Sequence, residues 1–129
     1  MTQMKIYGHR AHLGPRRAAV SDTLHRAAVQ AFTLPEDKRF HRFFLLDEED
    51  FVTPADRDGT YTIIEVLLFT GRSLAAKHAF LTLVFDLFAR DLNIEPRNVE
   101  VVLLEAPREH WGIRGVTGDQ LTLPYQVDV

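Results

Sequence analysis

The chain has 129 residues, of which 46% are hydrophobic, 10% aromatic and 26% charged, which is the size and composition of one globular domain. It contains no cysteine, which excludes disulfide frameworks, thiolate metal sites and thiol catalysis, and its net charge of −3 argues against nucleic acid as the main partner. No apolar run reaches the ~20 residues of a membrane span and the first residues lack a signal-peptide core. We therefore expect a cytoplasmic protein that does not cross a membrane.

The first half of the chain predicts a strand, a helix and a second strand. Residues 4–7 form a short apolar run, and residues 15–32 place their apolar side chains at helical spacing. Residues 39–46 alternate in the manner of a strand. Residues 47–60 are rich in acidic and turn-forming side chains, which indicates a loop.

The second half repeats that order. Residues 61–69 are rich in β-branched and large apolar side chains, which favour a strand. Ser73 is the expected N-cap of a helix that ends at Asn93. Residues 99–105 predict a fourth strand, and residues 111–129, which contain three glycines, predict a looped or hairpin tail.

The two halves are offset by roughly 60 residues, which indicates a degenerate internal repeat. We predict an α+β fold in which two β-α-β repeats form a four-stranded sheet with two helices on one face. The whole chain, residues 1–129, is then one domain. Its parts are repeat one at about 1–52, the acidic loop at about 47–60, repeat two at about 61–110 and the tail at 111–129.

Two of the predicted strands are apolar at consecutive or nearly consecutive positions, in residues 63–68 and 99–104. Such runs are typical of strands that are buried on both faces of a sheet. Two helices cover only one face, and a large exposed apolar sheet is not tolerated in a soluble monomer. The sequence therefore predicts an oligomer that packs sheet against sheet.

A set of short segments follows in order from about residue 4 to residue 115. They are Lys5-Ile6-Tyr7, Ala19-Val20-Ser21-Asp22 with His25, Leu34-Pro35-Glu36-Asp37 with Arg39-Phe40, Gly71-Arg72-Ser73 with Lys77, Ile94-Glu95-Pro96, Asn98-Val99 and Trp111. As an ordered set they resemble the tautomerase superfamily, in the branch that includes malonate semialdehyde decarboxylase. The resemblance implies a trimer whose three sheets line a central barrel, action on small carboxylates, and catalysis without a metal or an organic cofactor. The usual catalytic base of that superfamily is the amine of an N-terminal proline.

The chain departs from that pattern at several positions. Thr2 follows the initiator methionine where the family has proline, and Lys38 stands where relatives have an acidic residue. Phe40 replaces a tyrosine of several relatives, and Thr70 stands where an arginine can occur. The resemblance then implies that the Thr2 amine, once free, is the catalytic base, and that Arg72 binds the substrate carboxylate. The alternative for Thr2 is that it is the non-catalytic start of the first strand.

Arg72 is also a candidate on physical grounds. It directly precedes the expected cap Ser73, where the helix dipole disfavours a cation. A cation at that position indicates a shared anion, because a helix N-terminus and a guanidinium together bind a carboxylate well. The alternative is an ion pair with an acid of a neighbouring loop or subunit.

Four further residues are candidates for substrate binding. Lys38 either adds positive charge to an anion pocket or is a solvated turn lysine, and His41 either meets a ligand or lies at a subunit contact. Thr70 lies beside Arg72 in the same turn. Arg114 either reaches an anion or pairs with the acidic residues 47–50, and we prefer the second.

We therefore predict a homotrimer that binds a small carboxylate and needs no cofactor and no metal. If active, it is a weak tautomerase, isomerase or decarboxylase-like enzyme on a small 2-keto or unsaturated carboxylate. One alternative is a trimeric protein that binds small anions or a partner without catalysis. Another is a ferredoxin-like regulatory domain, which has the same order of elements but pairs as a dimer.

Overall fold

A computed structural model describes residues 2–129 of the chain. Its main elements are strand β1 (Thr2–His9), helices α1 (Arg10–Leu13) and α2 (Arg17–Phe32), strands β2 (His41–Leu46) and β3 (Thr62–Phe69), helix α3 (Leu74–Leu92) and strand β4 (Val99–Ala106). A small hairpin of strands β5 (Gly112–Ile113) and β6 (Val116–Thr117) precedes an irregular C-terminal tail, residues 118–129. None of the helices in residues 2–129 has the length and apolar character that a membrane crossing requires.

The four main strands form one mixed sheet in the order β2-β1-β3-β4. β1 is parallel to β2 and β3 is parallel to β4, whereas the two central strands, β1 and β3, are antiparallel. Each parallel pair is joined through a helix, α2 in the first half and α3 in the second, as parallel pairs require. The predicted α+β fold with two β-α-β repeats is therefore confirmed.

The two repeats correspond at one constant offset along the chain. β1 and β3 are equally long, and they begin at Thr2 and Thr62. In the first repeat Met4 pairs with His41, and in the second Ile64 pairs with Val101. The residue numbers of both partners therefore increase by the same amount as from Thr2 to Thr62. The repeat read from the sequence is therefore present in the strand register.

The core lies between the two helices and one face of the sheet. Alternate residues of β1 and β3 are buried there, which is the period of a strand with one covered face. The rings of Phe32 in α2 and Phe80 in α3 stack with centroids 4.9 Å apart and join the helices. Each fully buried aromatic or aliphatic side chain contributes roughly 1.5–3 kcal/mol. The largest of them in this core are Phe32, Phe80, Phe88, Met4, Ile6, Leu13, Leu24, Ile64, Leu68 and Ile94.

Residues 2–129 place no helix over the other face of the sheet, which we call the outer face. The expectation that its strands are apolar on both sides is only partly correct. Val102 and Leu104 of β4 are each 43% exposed, and the Tyr7 and Phe44 rings stack at 4.7 Å. By strand register, charged side chains alternate with these on the same face: Lys5, Arg42, Glu65 and Glu100. The outer face is therefore amphipathic, with apolar and charged side chains interspersed over all four strands.

Two element boundaries differ from the prediction. β1 is twice as long as the apolar run 4–7, because its polar residues alternate onto the outer face. Residues 14–16 form a 3-10 turn after the single turn of α1, and the long helix begins at Arg17. Pro15 fits the start of such a turn because its missing N–H leaves no unpaired donor there.

Candidate functional site

Most of the candidate residues lie along one edge of the sheet. β1 and β2 begin at this edge, β3 and β4 end there, and α3 begins soon after β3. Thr2 pairs with Leu68 near the end of β3, and Arg72 follows shortly after Phe69. We call this edge the Thr2 edge. The opposite edge, where β1 and β2 end, is the His12 edge.

The Arg72 side chain points into the protein at the Thr2 edge and is 4% exposed. Its guanidinium carbon lies 5.1 Å from the centroid of the Phe32 ring, and Nη1 donates a hydrogen bond of 3.3 Å to the Phe69 carbonyl. Ser73 caps α3 as predicted, because its Oγ accepts from the N–H of Ala76 at 3.1 Å. The turn after β3 thus fixes a cation just before a helix N-terminus.

Two N–H donors of Arg72, at Nε and Nη2, are buried and have no hydrogen-bond partner among residues 2–129. Arg72 also forms no ion pair within this part of the chain, so the intramolecular form of the predicted alternative is not found. Burial lowers the pKa of Arg72, which the nearby Tyr125, Glu105 and Asp128 partly oppose. An unsatisfied buried donor costs roughly 1–3 kcal/mol. The two donors of one guanidinium plane match the two oxygens of a carboxylate.

Thr2 begins β1, one of the two central strands, at the same edge and is 6% exposed. Its Oγ1 is buried and finds no hydrogen-bond partner within the described residues. The segment before β2 lies beside it, because the N–H of Met4 donates to the Phe40 carbonyl at 2.9 Å. The predicted removal of Met1 concerns a residue outside the described range.

An aromatic and cationic cluster closes the end of β3. The rings of Phe69 and Trp111 meet edge to face with centroids 5.0 Å apart, and the Arg108 guanidinium lies 5.4 Å from the Phe69 centroid. Arg108 also donates to the carbonyls of Gly118, at 3.0 Å, and Leu121, at 2.5 Å. Sequence reasoning missed Arg108. The sequence could have suggested Arg108 as a site residue, because it is a basic residue near Trp111 in a segment otherwise rich in glycine.

The C-terminal tail packs against the Arg72 turn. The N–H of Ser73 donates to the Val129 carbonyl at 2.8 Å, and Val127 is buried against Phe69. Gly71 has φ 143°, and a side chain there would collide with the Asp128 carboxylate. The tail therefore forms the outer wall of the Arg72 site, and only glycine fits beneath it.

His41 lies on the helix side of β2, where it is half-buried. Its Nδ1 is 2.7 Å from Ser21 Oγ, and its ring meets the His25 ring edge to face at 6.2 Å. Burial, with smaller effects from Arg39 and His25, lowers the pKa of His41 to about 4. The imidazole is therefore neutral at physiological pH and bonded within the subunit.

The remaining candidates are spread over the edge. Lys38 is half-buried, and its N–H donates to the Pro35 carbonyl at 3.1 Å in a turn. Thr70 is exposed, and its N–H donates to the Ala106 carbonyl at 3.1 Å. Arg114 is exposed and has φ 51° in the two-residue turn of the β5–β6 hairpin, beyond Trp111. By topology, Lys38, Thr70 and Arg114 all lie toward the Thr2 edge. Unlike Arg72, none of the three is held there by contacts of its side chain within the described residues.

The acidic loop lies at the opposite, His12 edge. Asp47 pairs with Arg10 at 3.0 Å, so the preferred pairing of Arg114 with this loop is wrong within one subunit. The reason is topological, because the loop follows the end of β2 and the hairpin follows the end of β4, which runs the other way. The carboxylates of Asp47, Glu49 and Asp50 come close to one another, but all three are exposed.

Comparison with solved structures gives the same fold. The chain is 22% identical to malonate semialdehyde decarboxylase over 86% of its own length and 89% of that chain, with a TM-score of 0.77. It is 22% identical to a fused 4-OT described as an asymmetric trimer, over 91% and 96% of the two chains, with a TM-score of 0.80. It is 23% identical to N1, a member of the cis-3-chloroacrylic acid dehalogenase family, over 89% and 82%, with a TM-score of 0.77.

The sequence profile of a family described as tautomerase enzyme matches residues 38–114. That range includes β2, β3, α3, β4 and β5, and therefore Arg72, Arg108 and Trp111 at the Thr2 edge. It is more than half of the chain. The protein therefore belongs to the tautomerase enzyme family.

Proposed function

We propose that the Thr2 edge binds a small carboxylate and that the protein acts on 2-keto or unsaturated carboxylates without a cofactor, as a tautomerase, isomerase or decarboxylase-like enzyme. The observation that carries this proposal is the pair of buried N–H donors of Arg72 that have no hydrogen-bond partner in the described part of the chain, residues 2–129. A bound carboxylate would accept both donors and remove their desolvation cost. The N-terminus of α3, which begins just after Arg72, adds to the same attraction.

The base in this proposal is the amine of Thr2 after loss of Met1. An α-amino group ordinarily has a pKa of ~7.7–8.0, so a useful fraction is unprotonated near neutral pH. It would remove a proton from the carbon next to the substrate carbonyl while the carbonyl oxygen takes a proton from solvent, which gives the enol. In the reverse direction the enol oxygen gives its proton to solvent and the protonated amine returns a proton to the carbon. Thr2 supports this role by its place, since β1 begins at the edge where Arg72 is buried.

We propose further that three copies assemble through their outer faces. The exposed apolar side chains of β4, Val102 and Leu104, require cover. The charged residues on the same face, such as Lys5 and Glu65 in facing register, supply polar contacts in such an interface. A fused 4-OT with the same fold is described as a trimer, which supports three copies over two.

The test is the ketonisation of enolised phenylpyruvate, followed by ultraviolet absorbance, with purified protein whose mature N-terminus is established by mass spectrometry. We expect a slow rate above buffer in the wild type, a faster rate in Thr2→Pro, and loss of the rate in Arg72→Gln. Arg97→Gln is the matched control, because Arg97 is an exposed arginine outside the Thr2 edge. A Thr2→Pro protein that is folded and trimeric yet inactive would contradict the catalytic proposal.

A second candidate function is binding of small anions without catalysis. The burial of Thr2 favours it, because a residue that is 6% exposed and held in a strand has little freedom to approach a substrate. Lys38, at a position where relatives carry an acid, also suits binding better than acid–base chemistry. Retained Met1 together with saturable binding of phenylpyruvate that depends on Arg72 would favour this candidate over the enzyme.

A further inference from the structure

A cleft of about 960 Å³ opens at the His12 edge, at the far end of the sheet from Arg72. One wall is the end of β1 and the start of α1, with His9 and His12, and the other is the acidic loop from Phe51 to Gly59. The end of β2 and the turn after it, residues 46–48, form the base. We call this the His12 cleft.

The internal repeat places this cleft at the position equivalent to the Thr2 edge. The offset that relates Thr2 to Thr62 also relates His12 to Arg72. His9 and Phe51 correspond in the same way to Phe69 and Trp111, and the two ring pairs have centroid distances of 4.9 and 5.0 Å. The second edge therefore keeps the aromatic framework of the first but replaces its buried cation.

The cations that line the His12 cleft already have anionic partners. Arg10 pairs with Asp47 at 3.0 Å and also donates to the Leu45 carbonyl. Arg57 pairs with Asp56 at 2.5 Å and with Glu100 at 3.1 Å. The positive charge of each guanidinium is therefore compensated within the chain.

His12 adds no positive charge to the cleft. Arg16 Nη1 lies 3.2 Å from His12 Nε2, and since a guanidinium only donates, Nε2 is the acceptor and the ring proton is on Nδ1. Burial and the charge of Arg16 lower the pKa of His12, although Asp58 opposes this. The imidazole therefore faces the cleft in its neutral form at physiological pH.

Two carboxylates of the lining lack a cationic partner among residues 2–129: those of Glu48 and Asp58. Hydrogen bonds from the N–H and the hydroxyl of Thr60 to Asp58 Oδ1 lower the pKa of Asp58 and keep it ionised. The lining residues leave two negative charges uncompensated, against one positive charge from Arg16, which contacts His12 and has no carboxylate partner among residues 2–129. Beside the two carboxylates stand the apolar surfaces of Leu46 and Phe51.

We propose that the His12 cleft is a second binding site, for a small organic cation with a primary ammonium group and an apolar or aromatic body. The ammonium would lie between Glu48 and Asp58, and the body would pack against Phe51 and Leu46. Charge-assisted hydrogen bonds to the two carboxylates give the affinity, and burial of the apolar body against Phe51 and Leu46 adds to it. The site takes the opposite charge from the one that Arg72 attracts.

The test uses 2-phenylethylamine as the probe and amide chemical shifts in two-dimensional NMR of the whole protein as the readout. We expect saturable shifts at Glu48, Phe51 and Gly59 and none at Gly71. Glu48→Gln should weaken the binding by about tenfold, since it removes one charge-assisted contact. Glu49→Gln, a charge-matched change in the same turn outside the cleft lining, should leave it unchanged.

The outcomes separate this site from the proposed function. 3-Phenylpropionate has the same aromatic body with a carboxylate in place of the ammonium, and we expect no saturable shift from it at the His12 cleft. If it also fails to shift Gly71, the proposed carboxylate site fails while the amine site stands. Amine binding that is absent, that is equal in Glu48→Gln and Glu49→Gln, or that 3-phenylpropionate reproduces at Phe51 overturns the inference.

Discussion

Thr33 and Asn93 occupy equivalent positions in the two repeats and end their helices in the same left-handed backbone conformation. Thr33 has φ 54° and ψ 40°, and Asn93 has φ 54° and ψ 39°. Each is followed by a buried apolar residue, Leu34 or Ile94, that anchors the turn back toward the sheet. The repeat thus preserves the backbone turn although the side chains differ. Asparagine tolerates this conformation, whereas β-branched threonine adopts it at a cost.

We expect Thr33→Gly to raise the free energy of unfolding by about 1 kcal/mol, because glycine has no Cβ to clash in the left-handed region. Asn93→Gly is the matched control and should gain less, since the penalty for asparagine there is smaller. Urea denaturation at one fixed protein concentration measures both, which matters because assembly makes stability concentration-dependent. Equal gains, or a loss in Thr33→Gly, would show that the turn is not strained.

Arg72→Met tests whether the buried guanidinium is kept for a ligand and not for stability. Methionine fills a similar volume over the Phe32 ring and removes the two N–H donors that find no partner within residues 2–129. Stability should stay unchanged or rise by about 1 kcal/mol, because replacing an unsatisfied buried group with an apolar one is often neutral or favourable. Binding of phenylpyruvate, measured by calorimetry, should be lost.

Arg72→Lys is the companion variant, since it keeps the charge and loses the planar fork. It should bind phenylpyruvate about tenfold more weakly than the wild type, because one of two parallel hydrogen bonds is lost. If Arg72→Met lowers stability by more than about 2 kcal/mol and ligand binding is unaffected, the arginine has a structural role only.

Much of this fold follows from patterns within single segments. Alternation and helical spacing of apolar residues predict the four strands and two long helices, and the serine before α3 predicts its cap. Grouping Thr2 with Arg72 at one edge also follows, once the order of strands and helices is known. These features depend on residues close in sequence, or on the one rule that a helix joins parallel strands.

The rest depends on contacts between distant, irregular segments. The tail meets the Arg72 turn through the Val129 carbonyl, and Arg108 holds the tail through the carbonyls of Gly118 and Leu121. Every residue has a backbone carbonyl, so the residue types do not show which carbonyl accepts a hydrogen bond. Neither contact could therefore be predicted from the sequence. The predicted pairing of Arg114 with the acidic loop was wrong because it used charge alone. The topology places Arg114 and the acidic loop at opposite edges of the sheet.

His41 should make stability depend on pH. Its pKa is about 4 in the folded protein, against about 6.5 when unfolded. Between these values the unfolded state binds a proton that the folded state does not, so stability falls as pH drops from about 6.5 to 4 and is fully present above 6.5. Arg39 and His25 reinforce the effect, and Asp22 weakens it.

The measurement is urea denaturation of the wild type and His41→Asn across that pH range. Asparagine can still accept from Ser21 Oγ but does not titrate, so the difference in stability between the two proteins isolates His41 from the carboxylates. We expect the advantage of the wild type to shrink steadily below the pKa of the unfolded imidazole. A difference that is constant with pH would mean that the imidazole is as accessible in the folded state as in the unfolded state.

The outer face gives the most direct test of assembly. Leu104 lies on β4 among the apolar residues of that face and is 43% exposed in one chain. Burying a leucine in an interface contributes roughly 1.5–3 kcal/mol, and burying a lysine without a partner costs more. Leu104→Lys should therefore convert trimers to monomers in sedimentation at micromolar concentration.

Leu74→Lys is the control, because Leu74 is 66% exposed at the start of α3 and lies off the sheet. It should leave the trimer intact. A wild type that is monomeric at that concentration, or a Leu104→Lys protein that remains trimeric, would show that this face is not the interface, and the apolar strands of the second repeat would then need another explanation.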